Sequence, residues 1–342
     1  MDPEPRTEPR LAAGEDLPLV SIVISSYNYA RYLPEAIDSV LAQDYPNVEL
    51  IVLDDGSTDE TRRVLEAYSL DLFYRETQEN MGETRTLNKG WRMSRGSILA
   101  KLSADDVLLP GAVRSAVEHL RTNPDTVLTY CDFEVLDEDS NVIRRVTAPE
   151  VSYRDMVVRF VCPPGPGSFF RRKAFEAVGG WDERFRRLND QEFYLRLGLR
   201  GRFRKIPEVL AGYRLHGGSQ SFAEGDERAA QEFLHLISEY YATQEVPPEV
   251  MAGKREAFGN AHVQMARAHF VRRRYAKGLA EVAKALRSSP GNVLRPDKAR
   301  VLLHGLFPRS WYGLFVRLVR AREFAKERLA GGRAASHPST RR

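Results

Sequence analysis

Cysteine is nearly missing from this 342-residue chain: only Cys131 and Cys162 occur, at no metal-ligand spacing. That excludes a disulfide framework and a cysteine-based zinc site, and it suits a reducing compartment. Long apolar runs are also missing. None approaches the ~20 residues of a membrane-spanning helix, and the Pro- and Glu-rich N-terminus has no apolar signal core, so a cytoplasmic location is the expectation. Neither GxGxxG nor GxxxxGK[ST] occurs, which removes the dinucleotide fingerprint and the P-loop. An excess of one charge is missing only on average. The net charge is +4, yet residues 251–342 hold 21 Lys and Arg against 5 Asp and Glu, a balance of +16 that leaves residues 1–250 at −12. An acidic front and a basic rear predict two parts with different partners. No motif that reads DNA or RNA accompanies the basic part, so no nucleic-acid partner is expected, and anionic lipid is the better match.

What is there is a recurring unit of apolar strand, polar strand end and amphipathic helix. Residues 19–25 form a β-branched run of strand length, and Leu33, Ala36, Ile37, Val40 and Leu41 recur at helical spacing after it. Residues 48–53 form a second strand ending in Asp54-Asp55-Gly56-Ser57-Thr58-Asp59. Ser57 and Glu60 there have the spacing of a capping box for a helix through Tyr68. A short third strand is expected over 70–74, a helix from Gly82 through Met93, and a fourth strand over 98–102 that ends in Asp105 and Asp106. Such alternation with short loops predicts a mostly parallel sheet with helices on both faces. The polar ends at 25–28, 54–55 and 105–106 then share one sheet edge, where open α/β sheets bind ligands. Adjacent carboxylates there suit Mn2+ or Mg2+ whose remaining ligands are substrate oxygens.

Further on, 126–136 and 142–146 read as a strand pair across a turn at 137–141. The Pro163-Pro164-Gly165-Pro166-Gly167 run reads as a rigid loop, 188–192 as the start of a helix, and 209–215 as the last strand. From about residue 223 the texture is helical. Residues 255–290 carry a tetratricopeptide-like hairpin pattern, and 311–329 are basic and amphipathic. Two readings of that last segment stand: a helix lying on an anionic membrane, or one packed on the rest of the chain. The expected organisation is a tail over 1–17, an α/β domain over 18–222, a helical domain over 223–330 and a disordered tail over 331–342.

The ordered set of motifs resembles the family-2 inverting glycosyltransferases with the GT-A fold. Residues 20–28, 54–59, 80–88 and 104–106 resemble the half that binds the nucleotide-sugar, and 179–183, 189–192 and 213–219 the acceptor half. The resemblance implies that Tyr27 flanks a uracil-like base with Ser25 and Asn28 beside it, and that Asp55 accepts the ring N–H of that base. It places Asn80, Gly82, Arg85 and Asn88 in a second loop and helix on the nucleotide side, with Gly82 allowing close backbone approach and Arg85 reaching the diphosphate or the sugar. Asp105 is assigned to ribose or sugar hydroxyls, Asp106 to the metal, and His216 to the metal or the diphosphate. Asp190 is assigned as general base, with Glu192 close by. Each has a structural counter-reading: a core aromatic for Tyr27, a cap at a helix start for Asp55 and Asp190, a surface arginine for Arg85, a packed histidine for His216. Relatives often carry an acidic pair where this chain has Asn189-Asp190, and the QxxRW motif of processive synthases is absent.

The expected activity is therefore metal-dependent, inverting, non-processive transfer of one sugar from a UDP- or dTDP-sugar to a hydroxyl of a glycan or lipid-linked acceptor, in the synthesis of cell-surface polysaccharide or glycoconjugate. The rival readings are a sugar-nucleotide-binding or scaffolding protein on the same fold, and a nucleotidyltransferase. The latter is disfavoured because residues 26–30 are not a Gly- and Arg-rich triphosphate loop.

Overall fold

The structure, a computed structural model, describes residues 17–69, 73–217, 227–243 and 245–306. The first half alternates as the apolar pattern requires: β1 (Val20–Ser26), α1 (Leu33–Leu41), β2 (Val48–Asp54), α2 (Thr61–Glu66), β3 (Tyr74–Thr77), α3 (Glu83–Met93), β4 (Ile98–Ser103), β5 (Val107–Leu108) and α4 (Ala112–Thr122). The second half adds β6 (Thr126–Leu136), β7 (Val142–Val146), α5 (Tyr153–Arg159), β8 (Phe169–Arg171), α6 (Arg172–Val178), α7 (Asn189–Gly198) and the long β9 (Arg202–Arg214). Helices follow: α8 (Glu227–Ala242), α9 (Pro248–Met251), α10 (Lys254–Val271), α11 (Tyr275–Ser288), α12 (Pro290–Val293) and α13 (Pro296–Leu306).

One sheet runs in the order β3-β2-β1-β4-β8-β6-β9-β5, with β7 paired to β6. The strands from β3 to β4 are mutually parallel. Beyond β4 the sheet is mixed, because β8 runs antiparallel to both β4 and β6, while β9 runs parallel to β6. The alternation along β1 divides two cores: Val20, Ile22 and Ile24 pack with α1 and α4 on one face, and Val23 with α3 on the other. The second core runs on through α7 into the C-terminal helices and takes in Leu236, Ile237, Tyr240, Tyr241, Val250 and Ala257. The two faces thus bury the strands from both sides, as the continuous β-branched runs demand.

Three local expectations are revised. The third strand is Tyr74–Thr77 rather than 70–74, and residues 70–72 lie outside the described part. The Ser57–Glu60 capping box does not form, since neither side chain caps α2. Asp59 does the capping, accepting from Thr61 N at 3.0 Å and Thr61 Oγ1 at 2.6 Å, while Ser57 Oγ accepts from Asn28 N at 2.9 Å. The last strand starts at Arg202, not 209. The hairpin expected over 255–290 is α10 and α11. The basic segment 311–329 lies outside the described residues.

Candidate active site

Register brings the polar strand ends together. Ser25 of β1 lies beside Leu53 of β2 and Ser103 of β4, so residues 54–55 and 103–106 follow at one edge. A cavity of about 1030 Å3 opens there. Ser25, Tyr27, Asn28, Asp55, Asn80 and Gly82 line it, together with Asp105, Asp106 and His216, which form an acidic corner, and Asp190.

Tyr27 is 46% exposed, so it is not a core aromatic. Asn28 adopts φ of +61° and its Oδ1 accepts from Thr58 N at 2.8 Å, which ties the loops after β1 and β2 together. Asp55 is buried and organises the next loop. Its Oδ1 accepts from Gln78 Nε2 at 3.0 Å, Met81 N at 2.9 Å and Thr86 Oγ1 at 2.9 Å, and its Oδ2 from Gly82 N at 2.8 Å. Oδ2 thus keeps one acceptor position of its usual two. Gly82 has φ of +89°, and a Cβ there would meet nothing within 4 Å. That backbone conformation favours glycine.

Two of the sequence candidates do not line the cavity. Arg85 Nε pairs with Glu183 Oε2 at 2.7 Å on the surface. Asn88 is buried and clamps Trp181, donating to its carbonyl at 2.8 Å and accepting from its N–H at 2.9 Å. Gly180 completes this clamp: at φ of +83° a Cβ would come within 2.7 Å of Asn88 Oδ1.

In the acidic corner, Asp106 is buried and Arg214 N donates to its Oδ1 at 3.0 Å. Burial first, and then the neighbouring Asp105 charge, push the Asp106 carboxyl up to about 8, against the Arg214 N–H and the Lys101 charge. His216 Nε2 meets Asp105 Oδ2 at 2.9 Å, and its ring lies 4.8 Å from that of Tyr32. Arg214 was not anticipated. Its side chain is 1% exposed and reaches Asp105 O at 2.8 Å, Ser140 Oγ at 2.7 Å and Glu35 Oε2 at 2.6 Å. It therefore pins the Asp105-Asp106 turn to α1 and to the β6–β7 turn. Among the described residues no three His, Cys, Asp or Glu side chains converge as a metal site.

Asp190 stands in the first turn of α7, and its Oδ1 accepts from Gln191 N at 2.6 Å. Burial raises its pKa above the usual aspartate value, although the Lys101 charge and the Gln191 N–H oppose this. Glu192 does not line the cavity. It pairs with Arg196, whose guanidinium also donates to the carbonyls of Val178 and Gly180. Of the two acids, only Asp190 lines the cavity. Glu232 of α8 is a second unanticipated anchor: its carboxylate accepts from Arg186 N at 3.0 Å, Arg187 N at 2.9 Å and Leu188 N at 3.0 Å, fixing the loop that leads into Asp190. Lys101 and Glu83 also line the cavity and pair at 2.7 Å. The signal for Lys101 was a single charge inside an otherwise apolar strand.

Residues 21–179 match glycosyl transferase family 2. An uncharacterised glycosyltransferase of Nostoc is 30% identical over 225 residues, which are 62% of this chain and 70% of that protein. The chain belongs to glycosyl transferase family 2. This glycosyltransferase is also 32% identical to an uncharacterised glycosyltransferase of Rickettsia prowazekii over 58% of its own length and 64% of the relative's. It is 29% identical to chondroitin synthase of Escherichia coli over 64% of its length, but spans only 32% of that longer protein. Two solved structures share its fold. TarS residues 1–349 of S. aureus with UDP-GlcNAc matches with a TM-score of 0.56 at 16% identity, covering 81% of this chain and 93% of that one. A mannosyltransferase of Pyrobaculum calidifontis with GDP-Man and Mn2+ matches with a TM-score of 0.55 at 18% identity, covering 90% and 86%. The α/β sheet with a helical C-terminal region is thus the GT-A architecture. Among the described residues no helix is long and apolar enough to cross a membrane.

Proposed function

We propose that this glycosyltransferase moves one sugar at a time from a UDP- or dTDP-sugar to an acceptor hydroxyl, with inversion and with help from a divalent cation. The observation that carries the reading is that a half-buried Asp190 lines the same cavity as Asp105 and Asp106. Asp190 takes the proton of the acceptor hydroxyl as that oxygen bonds to the anomeric carbon. The bond from the anomeric carbon to the phosphate oxygen breaks on the opposite face, and its electron pair leaves with the nucleoside diphosphate. One base and one displacement give inversion.

The donor set in the acidic corner fits Mn2+ or Mg2+, which take one or two carboxylates and complete their shell with phosphate oxygens and water. Asp106 would hold the ion, with Asp105 and His216 adjacent. A bound cation supplies charge neutralisation for the departing diphosphate. Tyr27 and the remaining acceptor position on Asp55 support a uracil or thymine base. Relatives with known ligands bind UDP-GlcNAc and GDP-Man respectively, so guanine is the competing base.

We take residues 18–222 as the transferase unit and 223–330 as the helical unit. The acceptor is a glycan or lipid-linked hydroxyl, and the basic segment 311–329 is the part that would touch an anionic membrane. Equal flotation on anionic vesicles with and without residues 307–342 would overturn the membrane contact.

The test of the main reading is thermal unfolding of the full chain with UDP, dTDP, GDP and their sugars, with Mn2+ and with EDTA. A ligand at 100 times its Kd adds about 2.7 kcal/mol, which gives a shift of several degrees. Stabilisation by pyrimidine diphosphates with Mn2+, lost in Asp106→Asn, is expected. A response to GDP alone overturns the base assignment, and no response overturns the donor site. NMR of the transferred anomer then reads inversion directly.

A further inference from the structure

We propose that Arg214 is the positioning residue of the acidic corner: its guanidinium fixes the peptide that joins Asp105 to Asp106, and so presets the two carboxylates for a divalent cation shared with the donor diphosphate. The inference rests on the transfer reading above.

The corner is built on a tight turn. Asp106 N donates to Ser103 O at 3.1 Å, which closes residues 103–106 as a β-turn at the end of β4. The peptide between Asp105 and Asp106 thus has its N–H bound to Ser103, and its carbonyl accepts from Arg214 Nε at 2.8 Å. A peptide unit is planar, so holding both of its polar groups restricts the directions in which the two residues carry their carboxylates. The end of β9 then holds the side chains themselves. Arg214 N donates to Asp106 Oδ1 at 3.0 Å, and His216 Nε2 lies 2.9 Å from Asp105 Oδ2. Both acids are tied to one stretch of three residues.

Arg214 does not line the cavity, so it acts through the acids rather than on a ligand. Its side chain is 1% exposed, and a cation so buried is costly unless it is paired. A guanidinium carries five N–H donors in a rigid fork. Here Nε serves Asp105 O. One terminal nitrogen reaches Ser140 Oγ at 2.7 Å and Asp137 O at 3.2 Å, and the other reaches Glu35 Oε2 at 2.6 Å. Ser140 Oγ donates in turn to the same Glu35 oxygen at 2.7 Å. The Tyr32 ring lies against the guanidinium, its centre 5.0 Å from Cζ. Three segments far apart in the chain, α1, the β6–β7 turn and the end of β9, therefore meet on the turn that carries the acids. A lysine would bring the charge without the fork.

A cation beside a metal corner can act in two ways of opposite sign. As a charge, it repels a second cation, so its removal would tighten the hold on Mn2+. As a clamp, its removal frees the Asp105-Asp106 peptide, and the turn must then be ordered when Mn2+ binds, which weakens the hold. The direction of the change separates the two. The experiment uses the full chain at fixed pH with saturating UDP, or with dTDP or GDP where one of these stabilises the wild type instead. It reads Tm as Mn2+ is titrated. Arg214→Met is expected to raise the Mn2+ concentration for half of the nucleotide-dependent shift about tenfold, and Arg214→Lys to raise it likewise. An unchanged Mn2+ requirement in Arg214→Met makes Arg214 a packing residue, and a lower one makes it a charge; either overturns the proposal. A wild-type requirement in Arg214→Lys overturns it too. If Arg214→Met fails to fold, Ser140→Gly takes its place. Glycine accepts the φ of +64° at that position and leaves the net charge unchanged. Loss of the Ser140 hydroxyl from the fork should raise the half-saturating Mn2+ about threefold, and an unmoved value overturns the proposal. A wild type with no Mn2+-dependent response to any of the three diphosphates overturns the donor site and this inference together.

Discussion

Asp190 and Glu192 stand two residues apart on one helix, and their surroundings give them different work. Glu192 is paired with Arg196 and holds the turn before Trp181, while Asp190 is half-buried at the cavity and has no ion pair among the described residues. Asp190→Asn should lower the transfer rate by about 10²- to 10⁴-fold, the usual worth of a general base. The nucleotide-dependent rise in Tm should persist, because the donor corner is untouched. The same substitution should stabilise the protein in alkaline solution. Burial raises the folded-state pKa of Asp190 above its unfolded value, so its contribution is intact below about pH 3.9 and is lost as pH rises through the folded pKa. The Tm of Asp190→Asn minus that of wild type should therefore lie near zero in acid and grow with pH. A difference that is flat with pH would remove the assigned shift. At this scale the sequence showed which acids exist, and the spacing of Asn189 to Glu192 marked the right turn. The i,i+4 spacing of Glu192 and Arg196 is a local signal for their pairing, but the sequence could not show that Asn88 would be spent on Trp181, a partner far along the chain.

Caps and loop clamps are set by the same long-range partners. The pattern Ser57-x-x-Glu60 is a sound local signal for a helix start. It fails here because Asn28, from the neighbouring strand loop, donates to Ser57 Oγ and leaves the capping to Asp59. Asp59→Ala should cost about 1 kcal/mol, and more than Ser57→Ala, in chemical denaturation. Burial tends to raise the Asp59 pKa, but bonds from Thr61 and Ala30 lower it overall. Its contribution is then present above about pH 3.9 and lost as pH falls through the folded value. The Asp59→Ala penalty should shrink in acid. Equal penalties at neutral and acid pH would contradict the cap. Glu232 is the stronger clamp, since three N–H groups lose their acceptor when it is removed. At about 1 kcal/mol or more for each unsatisfied donor, Glu232→Ala should cost about 3 kcal/mol and raise the KM of the acceptor through the loosened loop. An unchanged acceptor KM would separate the clamp from the site. The parallel strands, their order of appearance and the β6–β7 pair were legible from apolar runs and turns. The antiparallel β8, only three residues long, left no such trace.

The charge asymmetry along the chain suggested two parts, and composition does change near residue 223. Packing nevertheless joins them. The core under α3 and α7 is completed by Leu236, Ile237, Tyr240 and Tyr241 of α8 and by Ala257 of α10, and Glu232 reaches across to the loop before Asp190. Periodicity within α8 gives an amphipathic helix but does not name its partner, so this union was not readable from the sequence. The consequence is measurable. A chain ended at residue 222 loses those four large apolar side chains from the core. At about 1.5 to 3 kcal/mol each, the loss is about 6 to 12 kcal/mol, comparable to the whole stability of an ordinary domain. The shortened chain should therefore be insoluble or lack a cooperative unfolding transition, even though every residue assigned to donor, metal and base is retained. A shortened chain that unfolds cooperatively near the Tm of the full chain, with the nucleotide response intact, would show that the helices are an independent unit. Their role would then have to be sought at the acceptor or the membrane rather than in holding the catalytic wall.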